Sequence, residues 1–431
     1  METMRVLVKS FGCSTNLADG AVLAGCLVRA GYKMAGSVSS ADVIVLNTCA
    51  VKGPTENRMI EISKRIPRKK KLIVAGCLPL VNFERLEQEV SFSGVAGPAV
   101  GENIVEIVRR VSTGEKVIAL EGAAHNFPNL DLPRAQLSPV KSIVPISYGC
   151  LGSCAYCCVV FARGHLRSYG IRDIVKRVRK DLDLGLREFW ITSQDTACYG
   201  KDRGTNLAAL LHAICSVKEN FRVRVGMMTP NNALDISDDL IEAFQDERIF
   251  KFIHVPVQSG DDTVLKRMRR FYTVDDFRRV VRTFRTSFSH VTLATDVICG
   301  FPGETEEAFQ RTLRLMEEVR PDIVNVSKFF ARPNTAAVRM QNDFVSPSEI
   351  KHRSTIASSL AKKLSLENNR CWLSWTGSVL IDEIGKVAGS WVGRNFAYKP
   401  VAVKSASRLI GKFMSIQITK AFPTYLESGA V

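Results

Sequence analysis

Three times between residues 5 and 77 the chain runs through a short β-branched apolar stretch into a tight turn and a cysteine. The runs are RVLVKSFGC, ending at Cys13, DVIVLNTC, ending at Cys49, and KLIVAGC, ending at Cys77, with helical stretches such as ADGAVLAGCLVRAGY between them. Strand and helix in alternation predict a parallel sheet covered by helices, an architecture in which ligands gather beyond the carboxyl ends of the strands. All three cysteines fall at that edge.

The pattern weakens after Ser91 and passes through a helix near Glu102 to Val111 and a short apolar run at KVIAL. The segment EGAAHNFPNLDLPRAQLSPVK follows, and its Pro, Asn and Asp content reads as a linker. Six further strands come next, at IVPISYGC, EFWITSQD, RVRVGMM, FIHVPVQSG, VTLATDVICGFPG and IVNVSKFF, each followed by a charged helical stretch. Six βα units predict a partial (βα)6 TIM-like barrel with its site at the strand carboxyl ends. From Cys371 onward, short strands with glycine turns predict a small all-β module. The expected division is an N-terminal parallel-sheet α/β domain over 1–125, a central barrel over 139–368 and a C-terminal β-barrel over 371–431.

The 431 residues carry 59 Lys and Arg against 43 Asp and Glu, a net charge of +16 that favours a polyanionic partner through phosphate contacts. The C-terminal module shares the bias, with seven Lys or Arg against three acids, and interleaves Trp391, Phe396 and Tyr398. Basic groups and aromatics on a small barrel suit RNA backbone contact and base stacking, whereas a packed barrel with solvating charges is the plainer reading. The run Lys64-Arg65-Ile-Pro-Arg68-Lys69-Lys70-Lys71 adds a second basic stretch. No apolar run reaches about 18 residues and METMRVLVKSFGC has no leader pattern, so a cytoplasmic protein without membrane contact is expected. In that compartment twelve cysteines point to metal ligands, catalytic groups or buried small residues rather than disulfides.

The densest cysteine spacing is Cys150-Leu-Gly-Ser-Cys154-Ala-Tyr-Cys157 at the end of the first barrel strand. Three thiolates on one loop can hold three irons of a 4Fe-4S cluster and leave the fourth open to a small ligand. Zinc is the rival, and it wants a fourth ligand, for which Cys158 and His165 are the candidates. Cys26, Cys198, Cys215, Cys299 and Cys371 lack such context and read as core or incidental.

This loop, with Tyr156 before its last cysteine, resembles the signature of the radical S-adenosylmethionine enzymes. The resemblance implies a reducible cluster on Cys150, Cys154 and Cys157 as the catalytic group, binding S-adenosylmethionine and releasing a 5′-deoxyadenosyl radical. Across nearly its whole length the chain is similar to the methylthiotransferase family, whose order of domains ends in a module of the TRAM type. That likeness implies a second, auxiliary 4Fe-4S cluster on Cys13, Cys49 and Cys77. It also implies cofactor contacts from Tyr156, from Gln194 and Asp195 in TSQD, from Gln258 in HVPVQSG, and from Asp296 and Gly303 in DVICGFPGET. The TSQD wording departs from the common GGE-like form, and Pro302 and Gly303 read equally as a turn before a helix capped by Thr305. Arg332 in FFARPNTAA stands where the family has an arginine-proline pair, with Asn334 in place of the expected glycine.

GCSTNLADGAVLAG, TSQDTACYGKD and RVGMMTP resemble the archaeal and eukaryotic threonylcarbamoyladenosine branch. The implied reaction puts a methylthio group on C2 of N6-threonylcarbamoyladenosine at position 37 of tRNA, with a low-potential electron donor and a sulfur donor as further partners. A monomer is expected, and a chain that stops at Val431 without a membrane tail is expected to be soluble. Two competitors remain: a methylthiotransferase acting on an aspartate of a ribosomal protein, which a basic C-terminal module would repel, and a non-catalytic, metal-stapled RNA-binding protein.

Overall fold

The computed structural model describes residues 4–50, 53–120, 122 and 125–429. The three strand-turn-cysteine units lie side by side in a six-stranded sheet: β1 (Arg5–Ser10), β2 (Lys33–Met34), β3 (Val43–Thr48), β4 (Lys71–Gly76), β5 (Gly94–Ala96) and β6 (Val117–Ala119), in the order β2-β1-β3-β4-β5-β6. Every pairing is parallel. β3 and most of β4 are buried on both faces, as the continuous apolar runs require. The helices Ser14–Arg29 and Ile104–Ser112 pack on one face and Gly53–Lys64 and Leu78–Val81 on the other.

Six parallel strands form the central unit: β7 (Lys141–Pro145), β10 (Glu188–Thr192), β11 (Arg222–Val225), β12 (Phe252–His254), β13 (Thr292–Cys299) and β14 (Ile323–Lys328), with the short antiparallel pair β8 (Ser147–Tyr148) and β9 (Arg167–Ser168) between the first two. They form two three-stranded halves joined by parallel bridges Val223↔Ile249 and Met227↔His254. The strands occur where the six apolar runs predict them, and the largest core cluster fills the space between them and their helices. A 24-residue helix, Pro347–Arg370, begins at Ser346, whose hydroxyl accepts from the Glu349 amide, and leads into a closed barrel of β15 (Thr376–Ile384), β16 (Ser390–Arg394), β17 (Pro400–Lys404), β18 (Phe413–Ala421) and β19 (Leu426–Ser428).

Two expectations change here. The segment read as a linker lies partly outside the described residues, and the rest packs as a strap. Phe127 stacks on Tyr169 with ring centroids 4.2 Å apart, Leu130 is buried, and the Ala135 amide donates to the Ala21 carbonyl at 2.8 Å. Its prolines fix an extended path over an apolar surface rather than a solvated tether.

The aromatics of the C-terminal barrel do not form an exposed stacking face. Phe396 packs against Trp372 and Trp375, and Trp391 donates its indole N–H to the Ser405 carbonyl at 3.2 Å. Tyr398 sits in the turn between β16 and β17 and enters the amino end of the central barrel, 4.8 Å from Phe250 and 5.2 Å from Phe252, its hydroxyl on Glu188 at 3.2 Å. Arg394 and Lys399 are paired with Asp382 and Asp322, which removes two of the module's seven cations from its outer surface.

Candidate active site

Each turn at the sheet edge is held by polar groups that leave the cysteine projecting past the strand. The Cys77 amide donates to the Thr48 carbonyl at 3.0 Å, and the Thr48 hydroxyl donates to the Ala75 carbonyl at 2.6 Å. Asn47 Nδ2 donates to the Asn16 carbonyl at 2.7 Å, tying β3 to the helix that starts behind Cys13. Gly76 has a left-handed φ of 95°, and a Cβ there would run into the Thr48 carbonyl, so only glycine closes this turn.

The second trio sits on a loop braced at both ends. The Gly152 amide donates to Cys150 Sγ at 3.2 Å, the Cys157 amide to the Cys154 carbonyl at 3.1 Å, and the Ala155 amide to the Met268 carbonyl at 2.9 Å. Arg270, from the loop after helix Asp262–Arg267, donates to Cys154 Sγ at 3.1 Å, and Tyr272 fixes that loop through the Pro256 and Val257 carbonyls.

The two trios face one cavity of about 620 Å³, whose walls include Cys13, Cys77, Cys150, Cys154 and Cys157. Cys49 lies directly behind, packed against Gly12 beside Cys13. On the cavity wall the halves meet through polar contacts: the hydroxyls of Ser14 and Thr192 are 2.7 Å apart, and Gln194 Nε2 donates to Thr15 Oγ1 at 3.4 Å. Residues remote in sequence, 13–15 and 192–194, thus form one wall.

Burial pushes the Cys77 thiol up to about 12 and the Cys150 thiol up to about 11, and raises Cys157 further, with neighbouring thiols adding to the effect. Thiols so placed ionise only beside a strong cation or a metal. The polar groups suit such a guest. Each trio is accompanied by a buried guanidinium, Arg163 near Cys77 and Cys13 and Arg270 at Cys154, and each has one amino group without a protein partner. Ser193 Oγ and Gln194 Oε1, also lining the cavity, are buried and unpartnered. The residues present therefore fit iron-sulfur clusters and a polar small molecule between them.

A zinc site would need a fourth ligand beside the Cys150 loop. The Cys158 thiol is engaged elsewhere, with the Ala50 carbonyl at 3.6 Å and the Arg332 guanidinium, and His165 is exposed. Among the described residues no three His, Cys, Asp or Glu side chains are grouped to hold a single ion.

Of the other expected cofactor residues, Tyr156, Gln194, Asp195, Gln258 and Asp296 all line the cavity. The Asp195 carboxylate is occupied: it accepts from the Ala197 and Thr229 amides, the Thr229 hydroxyl at 2.6 Å and Asn232 Nδ2 at 2.7 Å. Asp296 accepts from Asn325 Nδ2 at 2.8 Å and lies 3.0 Å from His254 Nε2. Gln258 has a left-handed φ of 70° and continues the β13 ladder through the Asp296 carbonyl and the Ile298 amide. Gly303 lies outside the cavity lining, packed against Arg267 with its amide on the Asp343 carbonyl, and Thr305 caps helix Glu306–Val319. Arg332 is fully buried in an ion pair with Glu56, and Asn334 takes a left-handed φ of 63°, a conformation that asparagine tolerates better than most residues. Cys26, Cys198, Cys215 and Cys299 are buried, and Cys371 is exposed.

Residues that sequence reasoning missed include Arg163 and its partner Asp19, Arg270, Thr229 and Asn232. None belongs to a metal-ligand spacing. The one available signal was proximity in sequence to the cysteine loop, for Arg163, and to the strand end RVGMMTP, for Thr229.

Comparison with known proteins agrees with this layout. Residues 144–316 match the Radical SAM superfamily, 5–97 the Uncharacterized protein family UPF0004, and 376–431 the TRAM domain. A radical S-adenosylmethionine methyltransferase, TsrM from Kitasatospora setae, shares the fold over 78% of this chain and 74% of its own, with a TM-score of 0.57 at 14% identity. A Pyrococcus abyssi protein named "Probable threonylcarbamoyladenosine tRNA methylthiotransferase" is 40% identical over 98% of both chains. The Homo sapiens threonylcarbamoyladenosine tRNA methylthiotransferase is 33% identical over 99% of this chain and 74% of its own length. With its two cysteine trios facing a single cavity and full-length likeness to such proteins in archaea and animals, the chain belongs to the threonylcarbamoyladenosine tRNA methylthiotransferase family.

Proposed function

We propose that this protein replaces the C2 hydrogen of N6-threonylcarbamoyladenosine, at position 37 of tRNA, with a methylthio group. The convergence of Cys13 and Cys77 with Cys150, Cys154 and Cys157 on one cavity carries the reading, because sulfur transfer and radical generation must reach the same carbon. When bound, a 4Fe-4S cluster on Cys150, Cys154 and Cys157 with S-adenosylmethionine would supply one-electron cleavage of the sulfonium, and a second cluster on Cys13, Cys49 and Cys77 would present the sulfur, whose methyl group would come from a second S-adenosylmethionine.

The chain's own side chains do the rest. Arg270 holds Cys154 in place and offers a free N–H toward the cavity. Gln194 and Ser193 present unpaired buried oxygens, acceptors suited to the methionyl ammonium of the cofactor. Asp195 braces Thr229 and Asn232 and so fixes the wall next to them. Tyr156 and the apolar wall limit water around the reacting carbon. No strong general base is required for hydrogen abstraction, and no carboxylate pair or Ser-His-Asp set is needed.

The positive charge of the chain and its exposed C-terminal lysines and arginines support a tRNA substrate. The reaction further calls for a low-potential electron donor and a sulfur donor, with the protein acting as a cytoplasmic monomer. No helix among the described residues is long and apolar enough to cross a membrane. Nucleoside mass spectrometry of tRNA from a deletion strain tests the assignment: loss of the 2-methylthio derivative with accumulation of its precursor is expected, and unchanged 2-methylthio content overturns it.

A further inference from the structure

The loop Arg269-Arg270-Phe271-Tyr272 alternates in direction. Arg270 and Tyr272 turn inward, to Cys154 Sγ and to the Pro256 and Val257 carbonyls, while Arg269 and Phe271 turn outward at the mouth of the cavity that both help to line. Arg269 holds a left-handed φ of 56°, a conformation unusual for a residue with a long side chain, which reverses the chain and sends the next outward residue over the opening. Phe271 is 70% exposed, and Leu151, on the cysteine loop that also lines the cavity, is 51% exposed. Two large apolar side chains standing open together at the rim of a mainly apolar cavity form a patch of the kind that receives a partner. The exposed guanidinium of Arg269 beside the ring indicates the partner's chemistry: an anionic backbone carrying flat bases.

We propose that Phe271 is a stacking platform for the nucleotide next to the modified adenosine, with Arg269 on the adjoining phosphate. The inference rests on the function proposed above. An adenine reaches a cavity of this depth only by leaving its stack, which strips its neighbour of one stacking face. A ring fixed at the mouth by the buried anchors Arg270 and Tyr272 can replace that lost face without being ordered at the moment of binding. Because the same loop holds Cys154, the platform is registered to the cysteine trio rather than to the distant C-terminal barrel.

The test uses the full-length, anaerobically reconstituted protein and a synthetic anticodon hairpin carrying N6-threonylcarbamoyladenosine, with 2-aminopurine at the adjoining position. Phe271→Ala is expected to weaken hairpin binding about tenfold, within the range for loss of one base-aromatic stack, and to abolish the quenching of 2-aminopurine. Phe271→Trp should bind within about twofold of the parent, and Phe271→Leu should resemble the alanine variant, since it keeps apolar area but no ring. Iron content and thermal unfolding confirm that each variant is folded. Binding of Phe271→Ala at parental strength, or retention of binding by Phe271→Leu, overturns the platform while leaving the proposed function intact. Failure of the parent itself to bind the hairpin overturns both.

Discussion

The guanidinium of Arg163 donates to the Asp19 carboxylate at 2.8 Å, and both side chains are almost wholly buried. Arg163 ends the helix that follows the Cys150 loop, and Asp19 lies on the helix that follows Cys13, so the pair joins the two cysteine trios from behind. Tyr148 donates to the other Asp19 oxygen at 2.6 Å. Arg163→Met would leave a buried carboxylate without its cation, and a loss of about 3–5 kcal/mol is expected. Chemical denaturation of the apoprotein measures it, and an unchanged midpoint would show that the pair contributes little.

The trios should be separable by iron analysis. Cys154→Ala is expected to lower the reconstituted content from about eight irons per chain to about four and to abolish deoxyadenosine formation. Cys77→Ala should show the same iron loss but retain cofactor cleavage while losing methylthio transfer. Deoxyadenosine formed by the Cys154 variant at the parental rate would refute the assignment.

The seat of the C-terminal barrel contains a carboxyl group with a displaced titration. Burial, reinforced by the charge of Asp382, pushes Glu188 up to about 7 from an ordinary value of 4.5. The folded protein thus holds a proton that the unfolded chain releases, so the contribution to stability is fullest below 4.5 and is lost as pH rises through 7. Glu188→Gln should flatten the decline between pH 5 and 7, by up to about 1.4 kcal/mol per pH unit relative to the parent. Parallel pH profiles for the two proteins would place the titration elsewhere.

Cations of the same barrel divide into two kinds. Lys399 is buried, at 2.6 Å from Asp322 and 2.8 Å from Asn369 Oδ1, so Lys399→Met should lower thermal stability. Lys404 and Arg408 are exposed, and charge reversal there should weaken tRNA binding and reduce its salt dependence, with about 0.7 to 0.9 lost from the log-log slope per phosphate contact removed. Filter binding across a salt series reads the second effect, and a slope unchanged by Lys404→Glu would exclude that face from the RNA contact.

Local patterns made much of this legible. The apolar runs of β1, β3 and β4 are long and bounded by turns, so the sheet edge carrying Cys13, Cys49 and Cys77 follows from strand direction alone. The spacing of Cys150, Cys154 and Cys157 is a property of one loop. The meeting of the two trios depends on Ser14 reaching Thr192 and on Asp19 reaching Arg163, pairings across well over a hundred residues that no local period encodes. Tyr398 misled for another reason: it lies in the turn between β16 and β17, where strand alternation no longer sets which way a side chain points. The strap over 126–138 was missed because proline-rich composition describes backbone stiffness, not the surface against which it lies.

The wall shared by the two trios gives them a common fate toward oxidants. Cys13 is exposed and opens into the same cavity as the buried Cys77 and the half-buried Cys157, and the adjacent Ser14 contacts Thr192. Oxidation of Cys13 is therefore expected to disturb the Ser14–Thr192 contact as well as the first trio, which would put oxygen tolerance at the joint between the two domains.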